Sequence, residues 1–297
     1  MHTPLRVRAT MAAAALGLAL TTAVIGTTAG AAGMNGRVAF ERCWGPLTCS
    51  VFSVKWDGTS ELRLTGGGFS EQPAWSPNSA MIAFASNRSG GLQIWTMTAS
   101  GATPRQLTRG GWSIEPAWSP DGKKLAYVST RSGSQQLFVL TLATGKVRQL
   151  TNAGTNESPT WSPDGTKIAF ESKRSGMDQI YTMSASGGPA TRLTSVGTNE
   201  EPAWSPNGKL ILFVSNRTTD HHLYVMPATG GTNVQLTFGN FDDDQPAWSP
   251  DGTSIVFTSG RSGSDALWRM SATGFGAVHV TNNPNVDDVA PSWGSHG

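Results

Sequence analysis

Apolar and polar residues alternate along this chain in short bursts, and the bursts recur. In Lys167–Ser172 the apolar positions Ile168 and Phe170 alternate with polar or small neighbours. Gln179–Met183 and Thr191–Thr194 repeat the same short rhythm, and Pro159-Thr160-Trp161-Ser162 precedes them. A period of two over a few residues predicts half-buried strands. The joints between them carry turn chemistry. In Ser162-Pro163-Asp164-Gly165 the proline presets φ at the first corner and the glycine takes a positive φ. Lys173-Arg174-Ser175-Gly176 and Ser186-Gly187-Gly188 turn the chain again. Four short strands joined by tight turns predict one antiparallel meander.

The meander recurs. Its marker, written most plainly as Glu201-Pro202-Ala203-Trp204-Ser205-Pro206-Asn207-Gly208, returns around Trp75, Trp118, Trp161, Trp248 and Trp293, at spacings of 43, 43, 43, 44 and 45 residues. Such a period belongs to propeller blades or helical repeats, and no repeat has helical spacing longer than a turn, which excludes the helical class. A four-stranded sheet cannot bury both faces alone, whereas radial stacking of several does so. The first repeat, Gly36 to Thr65, has strands but no Trp phrase before them. The last phrase, Ala290-Pro291-Ser292-Trp293-Gly294, has no strands after it. The two fragments complement each other, which predicts an all-β, six-bladed β-propeller whose C-terminal strand completes the first blade and leaves no open edge.

The recurring Trp-Ser-Pro-(Asp/Asn)-Gly, the strand and Arg-Ser-Gly turn that follow, and the Leu-Thr ending resemble the TolB-type propeller repeat, also called the PD40 or WD40-like repeat. The resemblance covers residues 34 to 294. TolB carries an α/β domain before its propeller and works in the periplasm with a peptidoglycan-associated lipoprotein. Here the blades follow the N-terminal segment closely, so the expectation is a stand-alone propeller. Prolyl oligopeptidase relatives carry similar propellers with a hydrolase domain, but no Gly-x-Ser-x-Gly elbow occurs in this chain. Oligogalacturonate lyases are also similar, and are said to use several histidines around a metal. Beyond its N-terminal segment this chain has His221, His222, His279 and His296.

That segment reads as a secretory signal peptide over residues 1–31: Arg6 and Arg8, then apolar Ala9–Ile25, then the small-residue cleavage site Ala29-Gly30-Ala31. Residues 32–297 form the single propeller domain, with no membrane span after cleavage. The precursor's +2 charge comes from those two arginines, so the remaining chain balances, with 20 basic and 20 acidic residues. A basic stripe is absent, which argues against nucleic acid as a partner. Cys43 and Cys49 are the only cysteines and, in an exported chain, read as a local disulfide.

Candidate chemistry lies just before each Pro-Ala-Trp. Glu71, Glu115, Glu157, Glu200, Glu201, Asp243, Asp244, Asp287 and Asp288 fall there, and the inner strands of a closed ring bring them to one mouth of the channel. Converging carboxylates suit a hard cation such as Ca²⁺, with Asp243, Asp244 and Asp288 as candidate ligands, or a cationic peptide. TolB-type propellers are similar in placing a partner or a metal ion there. Arginines recur in the turn after the second strand (Arg88, Arg131, Arg174, Arg217, Arg261) on the same face, and structural pairing with the acids is the stronger expectation for any single one. Phe69, Trp112 and Phe241 precede the acids and suit a sugar or peptide platform. The repeat tryptophans are assigned to packing, and the adjacent His221-His222 to the surface. The reading is an exported, monomeric, non-enzymatic scaffold, periplasmic, secreted or at the cell envelope. It binds a protein, a peptide or a cell-envelope glycan; the alternative is a polysaccharide lyase or hydrolase, or a lectin.

Overall fold

The computed structural model describes residues 35–45 and 48–295. The segment read as a signal peptide and His296 lie outside them. The described residues form six sheets of four antiparallel strands each. In the first sheet the C-terminal strand, Asp287–Ser295, lies innermost, followed by Asn35–Cys43, Cys49–Lys55 and Leu62–Arg63. The ring is therefore closed by pairing chain ends, as the complementary fragments predict. The inner strands of blades 2 to 6 are Ser70–Trp75, Ser113–Trp118, Asn156–Trp161, Asn199–Trp204 and Asp243–Trp248. Among the described residues no helix is long and apolar enough to cross a membrane.

The sequence marks are parts of the joinery. The second strand of each blade puts one large ring in the core, with Phe40, Phe84, Tyr127, Phe170, Phe213 and Phe257 all without solvent exposure. The apolar clusters bridge blades: Val128 and Leu137 of blade 3 pack with Trp161, Ile168 and Phe170 of blade 4. Val38 and Phe40 of blade 1 pack with Val256 and Leu267 of blade 6 across the closure. Three of the six repeat tryptophans also hydrogen-bond the neighbouring blade: Nε1 of Trp118, Trp161 and Trp248 donates to the carbonyls of Ala74, Ala117 and Ala203 in the blade before, while that of Trp75, Trp204 and Trp293 is buried without a partner among the described residues. Burying an indole with its N–H bonded gives both area and direction.

The Leu-Thr ending also has a job. In all six blades the threonine hydroxyl accepts the backbone N–H of a third-strand residue, from Val51 N to Thr65 Oγ1 at 2.8 Å through to Leu267 N to Thr281 Oγ1 at 3.0 Å. The outer strand is too short to continue the ladder, and the side chain supplies the missing acceptor. The Cys43–Cys49 disulfide is formed and ties the facing ends of the first two N-terminal strands of blade 1.

Candidate functional site

Each inner strand carries one extra residue. The register slips between Glu71 and Ala74, Ile114 and Ala117, Glu157 and Thr160, Glu200 and Ala203, and Asp244 and Ala247. This is a β-bulge, which bends the strand and re-aims a side chain. The bulged residues are Gln72, Glu115, Ser158, Glu201, Gln245 and, in the closing strand, Ala290, all at φ between 51° and 53°. None is glycine, so each blade holds a non-glycine residue in left-handed backbone at the same place. With the six prolines that follow them, these residues line a cavity of 190 Å³ on the ring axis.

A belt of hydrogen bonds sustains that backbone. Four of the six bulge N–H groups are offered to the side chain at the same place one blade earlier. Glu115 N donates to Gln72 Oε1 at 3.0 Å, and Ser158 N to Glu115 Oε2 at 2.6 Å. Gln245 N donates to Glu201 Oε2 at 2.5 Å, and Ala290 N to Gln245 Oε1 at 2.8 Å. Ala290 has no acceptor to pass on, so Glu41 of the second strand of blade 1 takes Gln72 N at 3.2 Å. Glutamine and glutamate thus do the same structural work in different blades.

Around the belt stand the residues one step earlier, Glu71, Glu157, Glu200 and Asp244, all half-buried. The field there is acidic. Burial pushes Glu115 up to about 7, with Glu157 and Glu71 acting in the same direction and the Ser158 N–H opposing it. Burial pushes Glu201 up to about 8, joined by Asp244 and opposed by the Gln245 N–H. Burial, then Glu41, raises Glu71 to about 7. The hydrogen bond from His221 to Asp244, 2.9 Å long, raises the imidazole to about 9.

Two steps before the bulge the chemistry is different. Arg261 bonds Asp243 at 2.7 Å, Arg217 bonds Asn199 at 2.7 Å, and Arg174 bonds Asn156 at 2.8 Å. Each guanidinium also lies over two or three rings of its own blade, as Arg217 does over Phe213 and Tyr224. Blade 1 has no arginine in that turn. Arg42, two residues earlier in its repeat, reaches the same kind of place over Phe40 and Phe52 and holds Asp288 with two bonds of 2.6 and 2.9 Å.

The acids expected at the mouth therefore divide by a single step of sequence. Glu115 and Glu201 reach the axis. Glu71, Glu157, Glu200 and Asp244 flank it. Asp243 and Asp288 are buried on arginines, and Asp287 is exposed. Each aspartate expected to bind metal is held by a side chain of the protein: Asp243 by Arg261, Asp244 by His221 and Asp288 by Arg42. Of the aromatics, Trp112 is 65% exposed. Phe241 lies 4.7 Å from the Arg261 guanidinium and Phe69 is half-buried. His222 corrects the surface expectation: it is 3% exposed, with Nδ1 3.9 Å from Asp243. It occupies the place where Gln136 and Gln179 bond the asparagines of the next blade. Gln72, Gln245, Glu41 and Arg42 were not candidates from the sequence. The six prolines at one offset were the available signal for the belt.

Comparison with known proteins follows the same lines. The model of the PD40 family, the TolB β-propeller domain, matches residues 108–201 and 194–297. The crystal structure of TolB from Acinetobacter baumannii superposes with a TM-score of 0.78 at 25% identity, over 87% of this chain and 66% of that one. The chain thus spans just under two thirds of that TolB. A putative TolB from Agrobacterium tumefaciens gives a TM-score of 0.70 at 21% identity, over 89% and 91% of the two chains. Hydrazine synthase from Kuenenia stuttgartiensis gives 0.73 at 15% identity over 90% of this chain and 48% of its own, a likeness of fold alone. No curated protein matches.

Proposed function

The chain belongs to the TolB β-propeller domain family, and from that premise we propose that it is an exported binding scaffold whose acidic channel mouth takes a cationic protein segment. One observation carries the reading. At the bulge, Gln72 and Gln245 accept the same backbone N–H as Glu115 and Glu201 do, so the belt needs an acceptor and not a charge. The negative charges that Glu115 and Glu201 carry once the pH passes their raised values of about 7 and 8 are surplus to the fold. Carboxylates gathered in a half-enclosed mouth raise the local concentration of a cationic partner and strengthen its bonds. Glu71, Glu157, Glu200 and Asp244 widen the patch around Glu115 and Glu201, and Asp287 lies at its exposed edge. The acids serve as contacts and not as a catalytic pair.

Fluorescence anisotropy with a panel of lysine- and arginine-rich peptides tests this. At least one peptide is expected to bind, with affinity falling as salt rises. Glu115→Gln with Glu201→Gln keeps the belt and removes the charge, and should weaken binding by about tenfold or more, the worth of one lost charge-assisted hydrogen bond. Equal binding by the double variant would sink the proposal.

A second reading rests on Trp112. It stands beside a 350 Å³ cleft whose lining includes Ile114, Val128, Gln135 and Thr155. An exposed indole next to a half-apolar cleft suits the face of a sugar ring. A glycan array should give signals that vanish in Trp112→Ala, and a silent wild-type array would remove the reading.

A further inference from the structure

The joint between blades 4 and 5 holds a second acidic group that lies off the belt and that the mouth reading does not explain. Glu171 lies on the second strand of blade 4, Asp178 just before its third strand, and Glu200 on the inner strand of blade 5. One carboxylate oxygen from each lies within 4.8 Å of the others. Glu171 is 6% exposed and Asp178 7%. Glu157 sits opposite Glu171 in the strand register. Among the described residues the one cation bonded to the group is Lys173, whose Nζ is 3.2 Å from Asp178 and whose side chain is half exposed. His221 and Asp244 pair with each other, and the charges of both act on Glu200.

Glu171 is the telling member. No N–H donor among the described residues reaches its carboxylate; the groups that face it are the acids Glu200, Asp178 and Glu157, with a hydrogen bond shared only with Asp178. A buried carboxylate without a donor is costly, and one facing two more carboxylates costs more. The place of Glu171 is apolar in blades 2, 3 and 5, as Ala85, Val128 and Val214, and polar in blades 6 and 1, where Thr258 bonds Gln245 and Glu41 accepts Gln72 N. At the joint between blades 2 and 3 all three equivalent places are apolar: Ala85, Leu92 and Ile114. One joint of the same design thus closes with hydrocarbon and another with three acids.

We infer that Glu171, Asp178 and Glu200 form a binding site for a hard divalent cation of the Ca²⁺ class, locking blade 4 to blade 5. Ca²⁺–oxygen bonds of about 2.3–2.6 Å let two ligands of one ion stand up to about 5 Å apart, so the three oxygens fit a single ion. Three carboxylates less the Lys173 charge leave a formal double negative for the ion to balance. Water completes the coordination on the Glu200 side, the less buried one. The other close group, Glu41 with Cys43 and Cys49, offers no such site, because both sulfurs are in the disulfide. The inference goes beyond the mouth proposal and shares only Glu200 with it.

Thermal unfolding of the full chain, stripped with chelator and titrated with CaCl₂ into the millimolar range typical of extracellular sites, tests it. Ca²⁺ is expected to raise Tm in the wild type and in Glu115→Gln/Glu201→Gln, which removes the axial charges. Glu171→Gln should weaken the ion by more than the roughly 10–100-fold that loss of an outer-shell partner costs. Glu171→Val, which copies blades 3 and 5, should fold with a higher Tm in chelator and ignore Ca²⁺. Two outcomes would overturn the inference: no Tm change in the wild type with millimolar Ca²⁺ or Mg²⁺, or an undiminished response in Glu171→Gln. Peptide binding is measured separately and can survive either result.

Discussion

Asp288→Ala is expected to destabilise the propeller by about 3–5 kcal/mol, the cost of stripping one partner from a buried ion pair. Asp288 is 1% exposed and belongs to the closing strand; Arg42 is 6% exposed and belongs to the opening one. Two bonds join them across 246 residues of sequence. Without Asp288 the guanidinium keeps Glu61, at 2.6 and 2.8 Å, but that carboxylate is 38% exposed and shared with water. The buried side of Arg42 would face nothing polar of its own. The pair also stands where the ring is held without a covalent connection, so its loss frees two sheet edges at once. Asp288→Asn should cost much less, because Asn156 and Asn199 satisfy Arg174 and Arg217 in just this way. Urea unfolding of both variants decides the matter. Equal, small losses would mean that apolar packing of Trp293 against Val38 and its neighbours carries the closure alone.

The repeat was legible because its signals are local. Trp161 and the Pro163–Gly165 turn fix where a strand ends, and Ile168 with Phe170 fix which face is buried. Closure was legible because the Trp293 phrase has no strands after it and the strands of Arg37–Thr65 have no such phrase before them. The bulge was not. A period of two shows which side a residue faces, but an inserted residue shifts the count silently, and nothing in Glu115 or Gln72 announces positive φ. That single residue decides the acids' roles. Asp243 and Asp244 are neighbours in sequence, yet one is buried on Arg261 and the other stands beside the mouth with His221. Five arginines were visible because they share a turn. Arg42 escaped because blade 1 supplies the same guanidinium from its strand. Glu171 and Asp178 escaped for another reason: they approach Glu200 only across a blade joint, and no local pattern reports on that.

Replacing both axial acids, Glu115→Gln with Glu201→Gln, should flatten the dependence of stability on pH. Their carboxyls titrate near 7 and 8 in the fold, against an ordinary value of 4.5, chiefly because burial disfavours the charge. A folded-state pKa raised in this way contributes stability that is complete below about pH 4.5. It is lost as pH rises through the folded values, so the window runs from about pH 4.5 to pH 8. Raising a pKa by one pH unit corresponds to about 1.4 kcal/mol, but water in the open channel screens part of it, so the pair should account for on the order of 3 kcal/mol. Glu41 and Glu71, both raised to about 7 by burial, keep a residual slope in the variant. Urea unfolding at about pH 5 and pH 8 reads the difference. The double variant should match the wild type at the lower pH and exceed it at the higher one; identical slopes would mean that the axis is wet enough to carry its charges freely. The same arithmetic joins stability to binding. A protein that holds ionised acids at its axis above neutral pH is destabilised by them until a cation arrives. A lysine-rich peptide that binds the mouth should therefore raise wild-type stability most at the higher pH, and should do little for the glutamine variant at either.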